Sequence, residues 1–185
     1  MDRRAIERLL TEARALIRHR EYVIIGSLSV LGAVEHPPAE MLGSIDIDLY
    51  PKDDPGRAFE LAGPLGLGST FEAEHGYYAD AVSPMLPTLP DGWQNRLIEV
   101  RFPSGVAAWF LHPGDAAVSK YVRGEQRDRN WLRAGLRAGI FSLETVEYRM
   151  RETVMETDER VRAAAAIAED RDFLHSISAG DAPSA

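Results

Sequence analysis

The chain contains no cysteine. That absence excludes disulfides, thiol nucleophiles and thiolate-ligated zinc. Histidine is scarce, with five in 185 residues, and His36, His75 and His112 lie too far apart to suggest a metal site by spacing. A resident metal is therefore expected to be a hard cation on oxygen ligands. The sequence lacks any run of 18 apolar residues, and its start, "MDRRAIERLL", is too charged for the apolar core of a signal peptide. A soluble, cytoplasmic protein is the expectation. Positive charge is also in deficit: 21 Lys and Arg face 29 Asp and Glu, a formal net charge of −8. Such a chain does not coat nucleic acid indiscriminately, although a local basic patch can still grip an RNA or a nucleotide. Internal repeats are missing, and the alanine run 163–166 simply favours helix.

What is present suits one globular unit, with a hydrophobic content of 45% and length enough for a real core. Ile6, Leu9, Leu10, Ala13, Leu16 and Ile17 recur every three or four residues and predict an amphipathic first helix. "YVIIG" reads as a β-branched strand ending at Gly26, and "SLSVLGAV" as the opening of a helix. Pro37 and Pro38 mark a loop, after which "SIDIDLY" forms a strand that Pro51 closes. "PGRAFELAGPLGLG" predicts a short helix interrupted at Pro64, and "GYYADAV", "RLIEVRF" and "GVAAWFL" predict three further strands. Beyond "HPGD" the pattern becomes helical: 114–123, 126–138, a helix capped by Ser142, and a last helix to about residue 174. The expected architecture is α/β (α+β), a mixed, mostly antiparallel sheet backed by helices. Residues 1–112 form the core, 113–175 a helical segment packed on it, and 176–185 a flexible tail.

Inside "SIDIDLY" two carboxylates interrupt an otherwise apolar strand. Alternate residues share a face, so Ile45, Ile47 and Leu49 point one way while Ser44, Asp46, Asp48 and Tyr50 point the other. Two same-face aspartates repel, which is tolerable if that face meets water or a divalent cation. About twenty residues earlier, Gly26-Ser27 joins a strand to a helix, where backbone N–H groups and a hydroxyl can receive phosphate oxygens.

Strand, Gly-Ser, helix, then a strand with Asp-x-Asp resembles the signature of the DNA polymerase β-type nucleotidyltransferases. The match rests on Gly26, Ser27, Asp46 and Asp48. That superfamily adds a third carboxylate on a later strand, for which Asp80 is preferred and Glu99 is the alternative; Asp91 sits in a Pro/Gly turn. A further set resembles a bacterial subgroup related to AbiEii-type and MenT-type toxins: Asp80, the run Leu89-Pro90-Asp91-Gly92-Trp93, Asp115, Ser119, Lys120, Arg127 and Asp128. Ser44 stands where the subgroup carries a threonine, and Glu125 where an arginine is expected. The resemblance implies a Mg²⁺-dependent enzyme that moves an NMP from an NTP to an acceptor hydroxyl. It further implies two Mg²⁺ ions on Asp46, Asp48 and Asp80, with Gly26, Ser27, Ser44, Lys120 and Asp128 contacting the nucleotide.

Acceptor and partner are less directly written. Arg129, Arg133 and Arg137 recur every four residues and give one helix a basic face. Either this face receives an RNA backbone, a tRNA 3′ end being the acceptor implied by resemblance to the toxins, or it pairs with acidic residues such as Glu144, Glu147, Glu152 and Glu156. Transfer to a protein or a small molecule such as an aminoglycoside needs the same carboxylates without that face. An idle fold acting as an antitoxin-like partner is the reading from another class. No role is expected for the histidines, and Trp93, Trp109 and Trp131 are expected to pack rather than stack a base.

Overall fold

A computed structural model describes the backbone of residues 1–180 and the side chains of residues 1–177. Its centre is a five-stranded mixed sheet in the order β3-β2-β1-β5-β4, built from β1 (Glu21–Ile24), β2 (Asp46–Pro51), β3 (Tyr78–Ala81), β4 (Ile98–Arg101) and β5 (Ala107–Phe110). The α+β class with a mixed sheet is as expected. Its pairings divide evenly: β1 with β2 and β4 with β5 are antiparallel, while β1 with β5 and β2 with β3 are parallel.

Period-two alternation sorts the strand residues between two cores. Tyr22, Ile24, Ile47, Leu49, Ala108 and Phe110 belong to a core closed by Ile6, Leu9, Leu10, Ala13 and Ile17 of α1 (Arg3–Ile17). Short helices α2 (Val30–Ala33), α3 (Ala62–Leu65) and α4 (Thr70–His75) complete that layer. Val23, Ile25, Tyr50 and Val82 face the other way, onto α5 (Pro113–Arg123), α6 (Gln126–Arg137), α7 (Leu143–Arg151) and α8 (Thr157–Gly180). Burying each large aliphatic side chain in either layer contributes about 1.5–3 kcal/mol.

Local chemistry explains where the elements differ from expectation. Pro64 does not interrupt a helix; it lies in the first turn of α3, where its missing N–H is not needed, after a 3₁₀ segment over Pro55–Leu61. Gly26 is followed by a 3₁₀ turn over Ser27–Ser29 and a single turn of α2, shorter than the helix read from "SLSVLGAV". Helix α4 was not anticipated, yet "STFE" carries an N-cap: Glu72 N–H donates to Ser69 Oγ at 3.1 Å, and the Glu72 carboxylate reaches back to the Gly68 N–H. The start of α5 is set by His112, whose Nδ1 accepts from Gly114 N–H at 3.0 Å, with Pro113 next. Asp115, in the first turn of α5, is fully buried between Arg96 and Arg149. Ser142 caps α7 as its position suggested. The tail expected from residue 176 begins inside α8, and 181–185 lie outside the described residues.

Candidate active site

Because β2 and β3 run parallel with Asp46 opposite Tyr78 and Asp48 opposite Asp80, all three aspartates project from one face of the sheet. One carboxylate oxygen from each lies within 4.8 Å of the others. Burial pushes the Asp48 carboxyl up to about 7, and the neighbouring Asp46 and Asp80 add to the rise. Lys120 and Arg123 pull the other way without winning. Asp80 is raised as well, by burial and then by Asp46. Ser44 Oγ donates to Asp46 Oδ1, keeping that carboxylate turned into the cluster. The donor set fits a divalent cation: three hard oxygens converge, and their mutual repulsion is relieved when positive charge enters. Asp46, Asp48 and Asp80 would hold it.

Glu99 cannot join the cluster. It lies on β4, three strands from β2, and pairs with Arg101 at 2.5 Å.

The turn after β1 closes the cluster from the side. Gly26 has φ +70°, and a Cβ placed there would fall 1.8 Å from Asp48 Oδ2. Glycine is required twice over, by the backbone angle and by the carboxylate pressed against it. Gly26→Ala is therefore expected to displace Asp48 and weaken divalent-cation binding by the cluster, while costing roughly 1–3 kcal/mol of stability. Thermal melts beside Mn²⁺ titrations check this, and a Gly26→Ala protein with unchanged stability and cation affinity would contradict the packing described.

A cavity of about 360 Å³ opens in front of Asp48 and Gly26. Lys120 and Arg123 line it on the α5 side, Leu86, Pro87 and Thr88 form a wall from the loop after β3, and Glu159 reaches it from α8. Lys120 is buried, and its ammonium donates to Ser27 Oγ at 2.9 Å and to Asp128 Oδ1 at 3.0 Å. Trp131 donates its indole N–H to the Ser27 carbonyl at 3.1 Å, so the Gly26-Ser27 turn is held from two sides. Asp128, 1% exposed, also accepts both arms of Arg123 at 2.8 and 2.6 Å. Burial pushes Asp128 up, but Arg123 and Lys120 bring its carboxyl below the ordinary range. Asp128 does not face the cavity; it aims the two cations that do.

A cleft lined by Asp48 of the carboxylate cluster and by two cations agrees with a comparison of families. The model of one family matches residues 4–173. The chain belongs to that family, the nucleotidyltransferases of unknown function DUF6036. Membership supports nucleotidyl transfer and the wider superfamily, and does not extend to the AbiEii-type or MenT-type subgroup. No curated protein and no solved structure matches the chain. Among the described residues, no helix is long and apolar enough to cross a membrane.

Other residues singled out in the sequence take structural places in this nucleotidyltransferase. The arginines of α6 are paired: Arg129 with Glu169, Arg133 with Asp170 at 2.8 Å, and Arg137 with Glu40 at 3.4 Å. Their partners lie on α8 and before β2, not on residues 144–156, because α8 packs along α6. Arg127 pairs with Glu125 at 2.7 Å. Asp91 contributes only its backbone, its N–H to Glu152 and its carbonyl to Arg96. Trp93 and Trp131 are buried, and Trp109 donates to Glu21.

Two features were not read from the sequence. Arg123 lies three residues after Lys120, one helical turn on, and that spacing could have flagged it. Arg96 fixes the cleft-wall loop by a paired contact to buried Asp115 at 3.0 Å; no local pattern announces a pairing across 19 residues.

Proposed function

We propose that this chain transfers an NMP from an NTP to an acceptor hydroxyl, with the Asp46, Asp48 and Asp80 cluster as the metal-dependent centre. The observation that carries the reading is the convergence of these three carboxylates beside Gly26, whose missing side chain lets Asp48 press against the turn. Divalent Mg²⁺ bound there, one ion or two, supplies neutralising charge to the triphosphate and orientation at the α-phosphorus. Lys120 and Arg123 offer positive charge to the phosphates from the opposite wall, Arg123 through a planar fork and Lys120 as a point charge. The Ser27 hydroxyl and the Gly26-Ser27 backbone set the end of the phosphate chain, and Ser44 keeps Asp46 in place. Asp80, the most exposed of the three and raised in pKa, accepts the proton of the acceptor hydroxyl. The acceptor oxygen forms a bond to the α-phosphorus, the bond between that phosphorus and the β-phosphate bridge breaks, and pyrophosphate leaves.

The assay that tests this uses each α-labelled NTP with Mg²⁺ and three acceptor pools: tRNA, total protein and small aminated sugars. Label is expected in one pool, lost with chelator and lost in Asp80→Asn. Label that persists in Asp80→Asn together with Asp46→Asn would overturn the assignment of the centre.

A further inference from the structure

The basic face read from the sequence, on α6, is neutralised by its own partners, but a second one is not. Residues 1–20 hold six arginines against three carboxylates, whereas the remainder of the chain holds fifteen basic against twenty-six acidic side chains. Among the described residues, none of those six arginines makes an ion pair, while most arginines elsewhere do. Arg3 is spent on the Leu31 and Gly32 carbonyls. Arg14 donates to the Ser104 carbonyl at 3.0 Å, and Arg4, Arg8, Arg18 and Arg20 complete the set on or just past α1.

Their placement is not random. Arg4, Arg8, Thr11, Ala15 and Arg18 follow spacings of four, three, four and three, which is one stripe of a helix. The buried stripe, Ile6, Leu9, Leu10, Ala13 and Ile17, occupies the opposite side. Two shallow cavities of about 280 and 350 Å³ run along the arginine side and share Thr11, so they form one groove. Glu7 and Glu12 border it, but Glu7 already accepts the Ser104 N–H at 2.9 Å. At 1.5 Å per residue the row spans about 21 Å, with cations about 6 Å apart where the spacing is four.

We infer that this α1 groove binds the sugar-phosphate backbone of a nucleic acid. Arg4 and Arg8 at one end of the groove and Arg14, Arg18 and Arg20 at the other offer guanidinium forks to successive phosphates, each of which can receive two hydrogen bonds. A bilayer is a poorer match, since the apolar side of α1 is consumed by the core and only Leu16 is left half-exposed. The groove lies on the α1 side of the sheet, opposite the face that presents the three aspartates. The start of α1 touches the β3 edge, where Tyr77 donates its hydroxyl hydrogen to the Ala5 carbonyl. A strand on the groove would reach Asp80 only by passing around that edge. Binding of the strand does not depend on the transfer reaction; only its service as acceptor rests on the function proposed above.

The test is fluorescence anisotropy of a labelled tRNA transcript, with polyglutamate and anionic phosphatidylglycerol vesicles as competitors, between 50 and 200 mM salt. The full chain is compared with Arg4→Glu/Arg18→Glu/Arg20→Glu, in which every altered side chain is exposed and unpaired and Arg18 already tolerates φ 64°. Expected are loss of affinity by tenfold or more and a salt slope shallower by about 2, from three lost phosphate contacts. Arg137→Glu should bind as the parent does. The inference is overturned if the parent fails to bind the transcript, if the triple variant binds it equally well, or if polyglutamate or vesicles displace it at matched charge. Binding without label transfer would keep the groove and remove the proposed chemistry, so the two can fail separately.

Discussion

Asp48→Asn is expected to lower transfer by at least 10³ and, in the same preparation without metal, to raise stability. Both effects come from one carboxylate. In the folded protein burial, Asp46 and Asp80 hold the Asp48 carboxyl at about 7, whereas in the unfolded chain it titrates near 4. Between those values the native state binds more protons than the unfolded one, so this group's contribution falls as pH rises from about 4 to about 7. Above 7 the penalty is complete, about 3–4 kcal/mol. Asparagine fills nearly the same volume and carries no charge, so metal-free Asp48→Asn should melt several degrees higher than the parent at pH 8 and close to it at pH 4. Mg²⁺ should stabilise the parent at pH 8, since it replaces the missing positive charge, and should do little for the variant. Melts at both pH values, with Mg²⁺ and with chelator, check the prediction. An Asp48→Asn protein that is less stable than the parent at pH 8 without metal would mean that the cluster is not the source of strain described.

The second large effect is expected at Asp128, which does not line the cavity in front of Asp48. Replacing it with alanine leaves Lys120 buried without its carboxylate and frees Arg123. Loss of one member of a buried pair costs about 3–5 kcal/mol. Burial already lowers the Lys120 ammonium, with Asp128 opposing that fall; without Asp128 it drops further. A lysine whose folded pKa is depressed binds fewer protons in the native state than in the unfolded one, so this part of the destabilisation is greatest at acidic pH and fades as pH rises. Transfer should fall too, because the charge facing the phosphates is lost and the Ser27 hydroxyl loses its donor. Lys120→Met/Asp128→Leu separates the two consequences. Replacing both partners with apolar groups should restore most of the stability and none of the turnover. Chemical denaturation and initial rates of the two variants are the measurements. Recovery of rate along with stability would show that the pair serves the fold alone.

How far the sequence alone led differs between the site's parts. Asp46 and Asp48 were legible because a strand's period of two fixes which residues share a face, whatever the tertiary context. Asp80 was legible only as a preference over Glu99, since the choice depends on which strand neighbours β2. Strand order is a long-range property that no local pattern carries, and here β4 and β5 lie on the far side of β1. The role of Asp128 was misplaced for a related reason. From sequence it is one charge in a run of charges, and only the packing of α6 against α5 brings it under Lys120 and Arg123. The α6 arginines were read correctly as one face, but whether that face is free depends on α8, forty residues away, which supplies Glu169. Short helix α4 was missed although its capping residues were in view, because a single turn has almost no hydrophobic period to detect.

Where a divalent ion and a triphosphate sit decides most directly whether the three aspartates form the metal centre. Anomalous diffraction from crystals grown with Mn²⁺ and a non-hydrolysable NTP locates both. A manganese peak bound by Asp46, Asp48 and Asp80, with phosphates against Gly26 and toward Lys120 and Arg123, is the predicted result. Nucleotide bound elsewhere, or phosphates at Gly26 with no manganese on the three aspartates, would contradict it.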